Sequence, residues 1–229
     1  MTSKNLMKLF LILIISIQAD DTENIFTNIY VNATWGTNSN GEGFSGGGSL
    51  LVNVAPYINF LENFVAMYDI KTIVDAGCGD WEFSKYIKWG NVFYTGYDVV
   101  KHVVEKNIAN YANNNIHFVH GNVVDLDLPS ADLLLCKDVL QHLSNNDIFK
   151  FIKQFSKFKY CLITNDVHPI TLTSNNNDIT TGECRYIDLS TKPFHLIGTK
   201  ILHYRDTMGV IKTVFFIDNS GFLAAEKSD

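Results

Sequence analysis

Residues 72–83 read TIVDAGCGDWEF: an apolar run, an acid, a glycine-cysteine-glycine turn and a second acid. A hydrophobic strand that leaves through Asp75 and at once places Gly77 and Gly79 needs its backbone left clear. Glycine accepts positive φ and has no Cβ to hold a neighbour away. GCGDWE departs from the GxGxxG fingerprint because position 82 is Glu, and no GK[ST] follows, so neither the dinucleotide pattern nor the P-loop is met. The flanking acids Asp75 and Asp80 disfavour a pyrophosphate and favour a ligand with positive charge.

Working outward, short apolar runs alternate with helical patterns. KTIVDA, NVFYTGYDVV, IHFVHG, ADLLLCKD and KYCLITND read as strands. DWEFSKYIKW, VKHVVEKNIANYA and NDIFKFIKQFSKF read as helices between them. Such alternation predicts an open, mostly parallel α/β sheet. The end differs: GTKILHYRD and GVIKTVFFID flank a tight turn at 207–209, which predicts a C-terminal antiparallel hairpin. Seven strands of a Rossmann-like sheet are therefore expected, with helices on both faces. In such a sheet ligands bind beyond the carboxyl ends of the strands.

Upstream, TENIFTNIYVNAT (22–34) predicts a short helix. WGTNSNGEGFSGGGS (35–49) holds six glycines and predicts a long loop. Trp35 and Phe44 suit a lid better than an inert linker, and Trp35 is a substrate-binding candidate. Residues 49–68 have helical spacing, with Pro56 marking a kink or a fresh start. The chain divides into a hydrophobic segment at 1–19, an N-terminal helix and lid at 20–48, and the main domain at 49–229. Lys4 and Lys8 precede an apolar run from Leu9 to Ile17, then Ala19 and two acids, the pattern of a signal peptide. That run is short for a bilayer span.

Composition narrows the partners. Of 229 residues, 46% are hydrophobic and 18% charged, with a net charge of −6 and no basic run, so no nucleic-acid partner is expected. The four cysteines show no CxxC spacing and the seven histidines no HExxH, which favours buried thiols over zinc or disulfides; no metal site is expected.

VDAGCGD, GYDVV and FVHGNVVDLDLPSADLLLCKDVLQHL, in this order, resemble the class I S-adenosylmethionine-dependent methyltransferases across residues 70–165. The resemblance implies S-adenosylmethionine as cofactor. It places Asp75, Gly77 and Gly79 in the cofactor turn and makes Asp98 the ribose ligand. It puts Asn122 and Val123 at the adenine pocket, with Asn122 where many members carry Asp, and Lys137 among the cofactor contacts. Trp81 stands where a third glycine is often found. Cys136-Lys137-Asp138 and His142 resemble the family's active-site edge.

Methyl transfer from a sulfonium is a direct displacement, so the protein mainly aligns the acceptor and excludes water. A base helps when the acceptor is a hydroxyl. Asp138, Asp166 and His168 are the candidates. His142 and Arg185, with Trp35, are candidates for holding the substrate. The function expected is methyl transfer to a small molecule or glycan-type acceptor. The alternative is a cofactor-fold binding or interaction protein without transferase activity. The signal-like segment points to export or membrane tethering, whereas the cofactor requires access to the cytosol.

Overall fold

The computed structural model describes residues 21–221; the signal-like segment lies outside them. Among the described residues, four helices, α1 (Asp21–Val31), α2 (Leu51–Met67), α3 (Lys101–Tyr111) and α4 (Asn145–Ile152), accompany seven strands. The strands are β1 (Thr72–Ala76), β2 (Phe93–Asp98), β3 (Ile116–His120), β4 (Ala131–Lys137), β5 (Phe158–Val167), β6 (Thr199–Arg205) and β7 (Ile211–Asp218). They form one sheet of order β3-β2-β1-β4-β5-β7-β6. The first five are parallel, and β7 runs antiparallel between β5 and β6. The expected sheet and its terminal hairpin are both present.

The apolar runs explain why the sheet is covered on both faces. Successive strand residues point to opposite sides. Ile73, Leu133, Leu135, Tyr160 and Leu162 join the core under α2. Their neighbours Val74, Leu134, Cys136, Cys161 and Ile163 join the core under α1 and α4. A strand buried on both faces has no polar side, which is why LLLC is continuous. The chain moves outward through β1, β2 and β3, then returns to lay β4 on the other side of β1. That reversal opens a crevice at the carboxyl ends of β1 and β4.

The sequence pattern failed in one place. DWEFSKYIKW is not a helix; it holds turns and a single 3-10 turn at Ser84–Tyr86. The reason is anchoring. Trp81 and Trp89 are both buried, and their indole N–H groups donate to Tyr94 Oη and to the Ser84 carbonyl. Pinning both tryptophans inward within nine residues overrides the helical period. Pro56 sits inside α2 without ending it. It lies in the second turn of that helix.

Candidate active site

The glycine turn is built as its sequence requires. Gly77 has φ +79° and Gly79 φ +56°. A Cβ on Gly77 would lie 2.3 Å from Val139 Cγ2, and one on Gly79 2.3 Å from Ser45 Oγ. The turn is tied down from several sides. The N–H groups of Gly77 and Cys78 donate to the Tyr97 carbonyl, Gly79 N–H donates to Asp98 Oδ2, and Asn107 Nδ2 donates to the Gly79 carbonyl. Its amides are thus spent within the protein, unlike a phosphate cradle, whose N–H groups face the ligand.

Trp81 takes the left-handed conformation itself, at φ +57°. Its indole donates to Tyr94 Oη (2.9 Å), and Tyr94 donates to Asp75 Oδ2 (2.6 Å). Asp75 therefore serves the turn from beneath and stands apart from the residues lining the cavity above it. Burial pushes its carboxyl up to about 6, against the Tyr94 hydrogen bond, which lowers it. Asp80 also faces the protein: it accepts from Ser45 Oγ (2.7 Å).

A cavity of about 280 Å³ lies above the turn, at the crevice the topology predicts. Gly77, Gly79, Asp98, Asn122 and Val123 line one part of it. Asp98 is buried; one carboxylate oxygen accepts from Gly79 N–H and the other from Val100 N–H (both 2.9 Å). Each oxygen keeps a further lone pair. Burial raises its pKa, and the two backbone bonds resist that. Asn122 accepts from Val124 N–H and donates to Asp125, which shapes the turn after β3.

The same cavity is lined by Trp35, Lys137, Asp138, His142, Asp166 and Lys212. Lys212 lies opposite Asp166 in the β5–β7 register and donates to Asp166 Oδ1 (2.6 Å) and Asp138 Oδ2 (3.0 Å). Lys137 donates to Asp138 Oδ2 (2.5 Å) and to the Gly48 carbonyl (3.0 Å). Both lysine side chains are nearly inaccessible. Burial alone would raise Asp138, but Lys137 and Lys212 overcome it and hold the carboxyl below its usual range. Burial raises Asp166, with Lys212 opposing. Asp138 sits at φ +58°, a strained conformation for a residue with a side chain, and its Oδ1 is buried without a hydrogen-bond partner.

His142 packs against Trp35, tilted by 40° with ring centroids 5.0 Å apart, and bonds through Nδ1 to the Glu183 carbonyl (2.9 Å). Burial lowers its pKa, so the ring is neutral at pH 7. Of the remaining sequence candidates, His168 and Arg185 are not brought to this cavity. They line a second one, which Asp166 joins to the first.

The sequence did not single out Lys212, Phe26, Tyr30 or Ser45. Lys212 carried a signal, as a lone lysine in the apolar strand VIKTVFF. Ser45 carried none, because its role depends on the fold: Oγ meets Tyr30 Oη (2.7 Å) and Asp80, clasping the glycine-rich loop over the turn.

Fold and crevice together define the architecture of the class I methyltransferases. Residues 73–158 match the family model described as a methyltransferase domain. Solved structures agree in fold. Magnesium protoporphyrin IX methyltransferase from Synechocystis PCC 6803, solved with bound SAH, is similar at 13% identity over 86% of this chain and 98% of its own (TM-score 0.58). A SAM-dependent methyltransferase from Leishmania major is similar at 15% identity, over 74% and 78% (TM-score 0.57). The chain spans only 46% of an assigned sarcosine dimethylglycine methyltransferase from Galdieria sulphuraria, at 15% identity over 49% of this chain, and that partial likeness (TM-score 0.42) carries no argument. No curated protein matches in sequence.

The residues present fit the cofactor of that class. Gly77 and Gly79 line the cavity, the turn amides make no phosphate cradle, and Asp98 offers two oxygens at the cavity wall.

Proposed function

We propose that this chain methylates a hydroxyl group on a small-molecule or glycan-type acceptor, using S-adenosylmethionine. Asp98 holds the ribose hydroxyls, the Gly77–Gly79 turn and Val123 border the rest of the cofactor, and Asn122 borders its base. When bound, the cofactor supplies a methyl group on a positively charged sulfur, already activated for displacement.

The observation that carries the hydroxyl reading is Asp138 Oδ1, buried in the cavity wall without a partner. A buried carboxylate oxygen left unpaired costs about 1–3 kcal/mol or more. An acceptor O–H supplies the missing donor and is oriented by it. As the acceptor oxygen gains the methyl group, its proton passes to Oδ1. Lys137 and Lys212 keep Asp138 ionised for that role, and a weak base suffices because an oxygen being alkylated becomes strongly acidic. Trp35 and His142 wall the cavity and Ser45 clasps the loop above, which excludes water.

Calorimetric titration of S-adenosylmethionine and its demethylated product into the full chain tests the reading, with Asp98→Ala and Asp138→Asn beside it. Micromolar binding is expected. Asp98→Ala weakens it by about 1–3 kcal/mol, the scale of hydrogen bonds to a charged group. Asp138→Asn leaves cofactor affinity within about threefold and lowers transfer of labelled methyl by about 10²-fold or more. A folded chain that binds neither compound returns the reading to a binding or interaction protein.

A further inference from the structure

The second cavity extends the first. It measures about 820 Å³, and both are lined by Asp166 and Val210. The segment after β5 forms its wall, with His168, Thr171, Asn175, Asn177, Arg185 and Tyr186 among its lining. We infer that this cavity is a binding groove for a neutral saccharide, which carries the part of the acceptor that is not methylated. The inference rests on the hydroxyl-methylating reading above and deepens it.

Three features point to that chemistry. First, the groove is polar but almost uncharged. Asp166 is neutralised by Lys212 at 2.6 Å. Arg185 Nη1 and Nη2 donate to the Asn177 and Leu143 carbonyls. Asp178 lies 3.8 Å from Nη1, so the guanidinium is turned onto the backbone and a carboxylate of the chain itself. Its Nε–H is buried and unpartnered, in a side chain only 8% exposed.

Second, the groove mixes donors and acceptors. His168 Nδ1 accepts from the Ile170 and Thr171 N–H groups (3.3 and 3.4 Å), which leaves the proton on Nε2 as a donor. Thr171 brings a hydroxyl, and Asn175 and Asn177 bring amides; these groups both give and take hydrogen bonds, as sugar hydroxyls do. A hydrocarbon or an anion would leave half of them unmet.

Third, Tyr186 offers a ring. It is 41% exposed and packs edge-on with His168, centroids 5.9 Å apart at 81°, so its orientation is fixed. Neighbouring residues are not free to collapse onto it. Ser174 Oγ holds the Tyr186 carbonyl (2.6 Å), and Asn176 donates to the Asp188 and Lys192 carbonyls, both at 2.7 Å. An aromatic face beside polar groups suits the apolar C–H face of a pyranose and its hydroxyl rim.

The test uses the full chain saturated with the demethylated cofactor. Saturation-transfer-difference NMR is run on neutral oligomers of glucose, galactose, mannose, xylose and N-acetylglucosamine, with glucose 6-phosphate and glucuronic acid as charged controls. At least one neutral oligomer is expected to bind in the millimolar range or tighter, and more tightly than either control. Tyr186→Ala weakens it at least fivefold, Tyr186→Phe restores most of the affinity, and cofactor-product affinity moves less than twofold in both. Binding of no neutral oligomer, tighter binding of a charged control, or indifference to Tyr186→Ala overturns the groove assignment. Failure of the cofactor product to bind a folded chain overturns methyl transfer instead. Saccharide binding that still depends on Tyr186 would then support the groove alone.

Discussion

Asp75 shows how the fold sets what one carboxylate does. In the sequence it flanks a glycine turn and reads as a cofactor ligand. In the fold it lies beneath the turn, hydrogen-bonded to Tyr94, which also receives the Trp81 indole. Its carboxyl has a pKa of about 6 against an ordinary 3.8, chiefly because it is buried. The folded chain therefore keeps this proton longer than the unfolded chain does. Stability linked to it is complete below about pH 4 and is lost as pH rises through 6. An amide cannot ionise and still accepts from Tyr94. Asp75→Asn is expected to stabilise the chain at pH 8 by about 2–3 kcal/mol, the free-energy equivalent of that shift. The gain should vanish below pH 4. Urea melts of both chains at pH 8 and pH 4 measure it, and an unchanged midpoint at pH 8 would show that Asp75 is not held against ionisation.

At the scale of elements, the strands were legible because β1, β4 and β5 are buried on both faces and leave continuous apolar runs. The hairpin was legible from its tight turn. The stretch after β1 was not, since the pinning of Trp81 and Trp89 is a tertiary fact that no helical period records. The stretch at 35–49 was readable as a loop from its glycines, but its clasp was not, because Ser45 meets Tyr30 and Asp80 only once α1 is docked. Ser45 Oγ joins three partners, Tyr30 Oη, Asp80 Oδ1 and the Asp80 N–H. Ser45→Ala removes them all and is expected to cost about 1–3 kcal/mol of loop closure. Limited proteolysis should then cut within 36–44 several-fold faster than in the unaltered chain. Saturation with the cofactor product should restore much of the protection. Equal cutting in both chains would mean that the loop is held elsewhere.

For the whole molecule, the cavity matters because it gathers parts that are remote in sequence. Phe26 and Tyr30 come from α1, Gly46–Gly48 from the loop, Asp98 from the end of β2, Asp138 from the exit of β4 and Lys212 from β7. The cavity wall formed by Gly77, Gly79, Asp98, Asn122 and Val123 could be read from the sequence, because these residues lie at or just beyond the ends of consecutive strands. Of the charged half, Lys137, Asp138 and Asp166 were named from the sequence but Lys212 was not, since it reaches Asp138 only after the C-terminal hairpin inserts β7 beside β5. A ligand held by all these parts binds only the assembled fold, so its binding energy adds to global stability. At a hundredfold excess over its dissociation constant that addition is about 2.7 kcal/mol. For a chain of this size each kcal/mol raises Tm by about 2–4 °C. Saturating S-adenosylhomocysteine should therefore raise Tm by about 5–10 °C in a single transition that moves as a whole. Asp98→Ala should shrink the shift at the same ligand concentration, because it loosens binding without touching the hairpin. Were the α1 and loop region to melt separately at an unchanged lower temperature, the cavity would not be the joint that couples these parts.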